Sequence, residues 1–162
     1  MDIVTRTARQ EDEPGLVELD RVTWSGAVSP TPAPGGDDPF FAPGRQPEDV
    51  LVAEADGAVV GYVLISPGHP IPSHAHVMDL RGLAVSPDRQ GAGIGRHLVD
   101  AALTECGRRG ARRVRSQVLS TNPASLAVHR ALGFEVEGVA KGEFMIDGER
   151  VDNVLLACWL DE

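Results

Sequence analysis

The sequence predicts a mixed α/β (α+β) fold, and three observations carry that prediction. Strand-like and helix-like segments interleave along the chain instead of segregating. Two Asp-Gly pairs, Asp56-Gly57 and Asp147-Gly148, each sit between alternating apolar runs, the pattern of tight hairpins. A strand-like run ending at Val85 passes through three glycines into a segment whose apolar residues recur every three or four positions, so a strand feeds directly into a helix. With 162 residues, 42% of them hydrophobic, the chain can bury a core without disulfide or metal staples, and one domain over 1–162 is expected.

The elements follow in order. Asp2 to Thr7 alternates and reads as a first strand. Glu11 to Trp24 reads as a helix, with acids and Pro14 at its start, where the helix dipole and the missing proline N–H are both accommodated. Ser25 to Pro47 holds Pro30, Pro32, Pro34, Pro39, Pro43 and Pro47 and is expected to be a long loop, either a lid over a substrate or a surface insertion. Val50 to Ala55 and Ala58 to Ser66 form the first hairpin, Pro67 to Ser73 a second loop, and His76 to Val85 a further strand. Gly93 to Gly107 is a helix with Gly95, Leu98, Val99, Ala102, Leu103 and Cys106 on one face. Val114 to Leu119 is a strand, Asn122 to Leu132 a short helix closed by Gly133, and Phe134 to Ile146 with Arg150 to Trp159 a terminal hairpin.

Composition removes several function classes. The net charge is −9 and the pI about 5.0, against a general nucleic-acid binder. No apolar run approaches the roughly 18 residues of a membrane helix. The first residues lack a basic region followed by an apolar one, so no signal peptide is expected and the cytoplasm is the default compartment. Cys106 and Cys158 are far apart and form no C-x-x-C, which reads as two buried free thiols. Charge is nonetheless uneven: Arg81 to Arg115 holds eight arginines and three acids, while the rest of the chain is strongly acidic. Such an island suits one anionic ligand, or a solvated helix face.

The stretch Leu83-Ala84-Val85-Ser86-Pro87-Asp88-Arg89-Gln90-Gly91-Ala92-Gly93-Ile94-Gly95-Arg96 carries the most chemistry. Glycines let the backbone approach a ligand, and free N–H groups at a helix start suit a phosphate or pyrophosphate. A Walker loop would end Gly-Lys-Ser/Thr, and here Gly95-Arg96-His97 stands instead. A dinucleotide fingerprint would read G-x-G-x-x-G, and here the spacing is G-x-G-x-G. Gln90-Gly91-Ala92-Gly93-Ile94-Gly95 matches Q/R-x-x-G-x-G/A after a Leu-Ala-Val strand end. Downstream stand Asn122 and Ser125-Leu126-Ala127-Val128-His129-Arg130-Ala131-Leu132-Gly133-Phe134. On these two motifs, and on the opening Arg6-Thr7-Ala8-Arg9-Gln10-Glu11-Asp12, the chain resembles the GNAT superfamily of acetyl-CoA-dependent N-acetyltransferases. The match is strongest over residues 76–136.

The resemblance implies a mixed, mostly antiparallel sheet of about seven strands, splayed between the fourth and fifth and flanked by about four helices. It implies acetyl-CoA as cosubstrate, with no metal. Backbone at Leu83, Ala84 and Val85 would meet the pantetheine arm, and an N–H there would polarise the acetyl carbonyl. The N–H groups from Gln90 through Gly91, Ala92, Gly93, Ile94 and Gly95 to Arg96 would hold the pyrophosphate. Asn122 would reach the pantetheine, although its local context, Pro123 following, also makes it a helix N-cap.

His129 departs from the family pattern, standing where many members carry a tyrosine that protonates the leaving thiolate. A histidine can give or take a proton, or sit as a buried structural residue. Asp79 matches the position of a glutamate base in histone-type members, and a carboxylate paired with Arg81 or another arginine is the competing role. His74, His76 and Glu143 are weaker base candidates. His69, His74 and His76 suggest a metal cluster, but no carboxylate or cysteine follows at ligand spacing.

The expected reaction is direct acetyl transfer to a primary amine, with no activated serine or cysteine motif to support an acyl-enzyme. The acceptor side would be built by the first helix, the Pro-rich loop and the terminal hairpin. Acids there (Asp37, Asp38, Glu48, Asp49, Glu143, Asp147, Glu149, Asp152) and the aromatic Trp24, Phe40 and Phe41 favour a small cationic or amino-acid-like molecule. A peptide or protein N-terminus, and a non-catalytic acyl-CoA sensor permitted by the missing tyrosine, are the alternatives. No nucleic-acid or membrane partner is expected. Val151 to Leu160 would serve a homodimer or pair only within its own sheet.

Overall fold

The structure, a computed structural model, describes residues 2–161. Its elements are β1 (Ile3–Thr7), α1 (Glu13–Thr23), β2 (Val50–Ala55), β3 (Ala58–Pro67), β4 (Val77–Val85), α2 (Ile94–Arg108), β5 (Arg113–Leu119), α3 (Pro123–Ala131), β6 (Glu135–Ile146) and β7 (Glu149–Trp159). The seven strands form one sheet in the order β1-β2-β3-β4-β5-β7-β6. Every neighbouring pair is antiparallel except β4 and β5. A parallel pair needs a long crossover, which α2 supplies.

Three α-helices form among the described residues, where about four were expected. Between Trp24 and Gln46 the chain stays irregular. Prolines lack an N–H and disfavour helix at the residue before them, and five of them space this stretch too closely for a turn of helix to propagate. Phe40 anchors the segment instead: it is buried and meets Phe41 and Tyr62 edge-on at 5.4 and 5.0 Å.

The alternation of β2 divides the core between two faces. Leu51, Ala53 and Ala55 join Val63, Ile65, Met78 and Leu80 beneath α2 and α3. Val50 and Val52 join Tyr62, Phe40, Leu16 and Leu19 beneath α1. Helix α2 lies close on β3, because a Cβ at Gly61 would stand 2.9 Å from Leu98 Cδ1 and 3.0 Å from the Ala84 carbonyl oxygen. Only glycine permits that approach.

Strands β4 and β5 pair only from Val77 opposite Arg113 to Leu80 opposite Ser116. Beyond that rung β4 stays on β3 and β5 stays on β7, so the sheet splits. The β4 edge also changes phase there. Gly82, at φ +58°, is left out of the β3 register, which runs from Leu64–Arg81 to Val63–Leu83. This bulge puts Leu83 and Val85 on the α2–α3 face and leaves Arg81, opposite Leu64, on the α1 face.

Candidate active site

The split in the sheet opens into a cleft of about 1640 Å³ that passes from one face to the other. Its walls on the α2–α3 face are the β4 end, the glycine turn and α3; its walls on the α1 face are Asp20, Tyr62, the Pro-rich loop and the inner ends of β5 and β7.

The glycine turn has the geometry of an anion seat. Gly91 and Gly93 take φ +83° and +82°, conformations that L side chains rarely adopt, and a Cβ at either would meet open space. Gly93 is the N-cap of α2, whose first internal bond runs from the His97 N–H to the Gly93 carbonyl. The N–H groups of Ile94, Gly95 and Arg96 therefore have no partner within the helix. A Cβ at Gly95 would stand 3.7 to 3.9 Å from Val128, Val85 and Leu83, so the helix start packs close to both β4 and α3.

The β4 edge offers fewer backbone groups than the sequence suggests. The Ser86 N–H bonds the Val60 carbonyl, so Ser86 and Ala84 point toward β3, and Leu83 and Val85 point into the gap. Ala84, expected to offer backbone to a ligand, is used by Tyr62. The Gln90 side-chain amide donates to the Val85 carbonyl at 3.2 Å, so Gln90 closes the strand end as well as beginning the turn. Asn122 caps α3 by accepting the Ser125 N–H at 3.2 Å, and it lines the cleft.

His129 is buried, with 1% of its surface exposed. Its Nδ1 lies 2.7 Å from the Ser125 carbonyl, and its Nε2 lies 2.8 Å from Ser116 Oγ. A carbonyl only accepts, so Nδ1 carries the proton and Nε2 accepts from the Ser116 hydroxyl. Burial pushes the imidazole pKa below its ordinary 6.5, partly offset by the bond to Ser125. The imidazole of the unfolded chain therefore takes up a proton near pH 6.5 that the folded one refuses, and stability falls as pH drops through that value. Denaturant midpoints at pH 7.5 and 5.5 should differ in wild type, and the difference should shrink in His129→Gln.

Asp79 lies on the opposite face from His129 and is fully engaged: Arg115 donates from Nε and Nη2 to its two carboxylate oxygens at 2.7 and 3.0 Å. Arg113 donates from Nη1 and Nη2 to the two carboxylate oxygens of Glu137, at 2.9 and 2.6 Å. Tyr62 donates to Asp20, and Arg45 approaches Asp20 at 4.0 Å while lying 4.3 Å over the Phe40 ring. Arg81 also lines this half of the cleft, and its side chain makes no hydrogen bond or ion pair among the described residues. The sequence suggested Arg81 as a partner for Asp79, but Arg115 takes that place.

The arginine island thus divides. Arg81, Arg89, Arg96, Arg113 and Arg115 line the cleft, whereas Arg108 and Arg109 pair with Glu105, and Arg112 with Asp161. The acids expected to line the acceptor side are mostly elsewhere. Only Asp38 of that group reaches the cleft; Asp49 binds Arg109, and Asp152 binds Lys141. Six arginines and four acids line the cleft, so it does not favour a purely cationic molecule. Trp24 and Phe40 line it as expected, and Phe41 packs on the core instead. His74 accepts the His69 N–H within its own loop, and among the described residues no group of three side chains is placed to hold a metal ion. Among them, too, no helix is long and apolar enough to cross a membrane.

Comparison with known proteins gives a consistent result. A model described as the acetyltransferase (GNAT) family matches residues 15–134. An L-methionine sulfoximine/L-methionine sulfone acetyltransferase of Pseudomonas paraeruginosa is 29% identical over 148 residues, covering 85% of this chain and 83% of the relative. The L-amino acid N-acyltransferase MnaT of Escherichia coli is 31% identical over 113 residues, covering 70% of this chain and 65% of the relative. A phosphinothricin acetyltransferase of Sinorhizobium meliloti, solved with acetyl-CoA, superposes with a TM-score of 0.82 at 24% identity, over 99% of this chain and 89% of that one, and so shares its fold.

Proposed function

The chain belongs to the acetyltransferase (GNAT) family and is an acetyl-CoA-dependent N-acetyltransferase, and we propose that its acceptor is the α-amine of a small amino-acid-like molecule. The observation that carries this reading is Arg81. Among the described residues it is the cleft arginine on the acceptor face with no acid partner, at the point where β4 leaves β5. A guanidinium there is set to bind a carboxylate by charge-assisted hydrogen bonds. An amino acid brings its carboxylate two bonds from the reacting nitrogen, so one cation both binds and orients it. The names of the Pseudomonas and Escherichia relatives describe acceptors of this kind.

The cosubstrate supplies the activated acetyl group. We place its pyrophosphate on the N–H groups from Gln90 to Arg96, its pantetheine against Leu83, Val85 and Asn122, and its acetyl group at the rung of Leu80 and Ser116. The open space at Gly91 and Gly93 and the free N–H groups of α2 support that placement.

The Pro-rich loop counts against a peptide acceptor. Thr121 Oγ1 donates to the Ala27 carbonyl at 2.7 Å, and Gly26 lies against Ile146, so the loop crosses from α1 to the far wall. The free, buried Cys106 and Cys158 fit a reducing compartment, which is the cytoplasmic reading.

Release of CoA thiol from acetyl-CoA tests the reading across L-methionine sulfone, phosphinothricin, L-methionine, spermidine and short peptides. The amino acids should give the highest kcat/KM. A preference for spermidine or for peptides would overturn the proposal.

A further inference from the structure

We propose that Ser116 and His129 form a proton shuttle that takes the proton from the attacking amine and returns it to the departing CoA sulfur. The proposal rests on acetyl transfer itself and not on which amine is the acceptor.

The geometry starts from the split. Ser116 is on the last rung shared by β4 and β5, opposite Leu80, and it lines the cleft while His129 does not. The cosubstrate side of the cleft is on one face and the acceptor side on the other, so the two meet only through the gap whose vertex this rung forms. Ser116 is thus the hydroxyl at the crossing point, and His129 stands directly behind it.

The imidazole is aligned for one role. With Nδ1–H held by the Ser125 carbonyl, the Nε2 lone pair accepts the Ser116 hydroxyl proton. The two lone pairs of Ser116 Oγ remain open to a proton from the cleft. The surroundings keep the imidazole neutral. On β5 and β4, Arg115 and Asp79 pair with each other on the opposite face. On α3, Arg130 is exposed. Toward α2 and β7 the titratable groups are Cys106 and Cys158, whose thiols burial pushes up to about 11, so they carry no charge at neutral pH. Phe134 closes the remaining side, its ring 4.8 Å from the imidazole.

The step balances. The amine lone pair bonds the thioester carbonyl carbon, and the carbonyl π pair moves to oxygen. The nitrogen, now cationic, gives a proton to Ser116 Oγ while Ser116 passes its own hydroxyl proton to His129 Nε2. The oxygen pair re-forms the carbonyl and the C–S bond breaks. The sulfur takes a proton from Ser116, which recovers one from His129 Nε2–H. The N-acetyl amine and CoA thiol leave, and both side chains end as they began. Here a buried histidine serves where an exposed acid would otherwise stand, because the serine carries the proton across the last few ångströms.

Two arms test the shuttle. In the first, acetyl-CoA and L-methionine sulfone are the substrates. Ser116→Ala and His129→Gln should each lower kcat about 100-fold. KM for acetyl-CoA should stay within about twofold. The double variant should be no slower than the worse single one, and Ser116→Thr, which keeps the hydroxyl, should recover most of the rate. Wild-type kcat should fall on the acid side as His129 protonates, and Ser116→Ala should lose that limb. Ser116→Ala retaining more than half of the wild-type kcat, additive single effects, or an acetylated Ser116 in the intact-mass spectrum would each overturn the shuttle. If wild type does not turn over L-methionine sulfone, the amino-acid reading fails alone, and the same variants are compared on spermidine or on whichever other panel amine wild type acetylates. The second arm needs no acceptor: nitrogen-15 NMR of the imidazoles in the free enzyme at pH 7.5. A protonated Nδ1 with a bare Nε2 at His129 is expected; an imidazolium or the opposite tautomer would overturn the proposal.

Discussion

Replacing Gly93 by glutamate should lower kcat/KM for acetyl-CoA by about a thousandfold or more while leaving the protein folded. A Cβ at Gly93 meets nothing within 4 Å, so the new side chain starts in open space beside the first N–H groups of α2. Its carboxylate would then face a pyrophosphate, and placing like charges together costs several kcal/mol, which is a factor of about 1000 or more in binding. The backbone at φ +82° adds a cost of about 1–2 kcal/mol for any non-glycine residue. A control with Gly93→Asn carries most of that strain without the charge, since asparagine tolerates the left-handed region best. Thermal melts and acetyl-CoA titrations on both variants separate the effects. Equal loss of binding in both would mean that the backbone conformation matters and the anion seat does not.

The second large effect is expected at Arg81. Arg81→Met should raise KM for an α-amino acid by roughly 10- to 100-fold, the worth of one hydrogen-bonded charge pair. The same variant should treat the corresponding amine without a carboxylate as wild type does. Arg81 is exposed and pairs with no acid among the described residues, so its loss should leave the melting temperature nearly unchanged. Arg115→Met is the contrasting case: it strands Asp79 in the cleft wall and should impair every acceptor alike. Parallel loss on both substrates in Arg81→Met would remove the carboxylate role.

Much of this was readable in one dimension because it is local. The glycine turn needs positive φ at Gly91 and Gly93, and a strand–glycine–helix sequence supplies it, so the conformation of this turn is legible in the sequence. Asp56 and Asp147 at φ +53° and +51° are the Asp-Gly hairpin turns. Element ends moved by no more than two residues, as in the first helix, which begins at Glu13 after a short 3-10 turn over Gln10–Asp12. The figure of about four helices came with the family resemblance; the periodicity of the chain itself pointed to three, and three form among the described residues.

Which side chains meet across the sheet is settled in three dimensions. Strand and helix order, the glycine turn and the histidine in the downstream helix are legible along the chain, because periodicity and backbone conformation act over a few neighbouring residues. The sequence could not say that Arg115 takes Asp79, that Arg113 takes Glu137 and that Arg81 is left over. It gave no sign that the hydroxyl of Ser116, thirteen residues away, would meet His129 at the vertex of the split. Ion pairs and proton paths depend on distances of about 3 Å between side chains from different strands and helices. Those distances are set by sheet register, by the bulge at Gly82 and by how closely α2 and α3 pack.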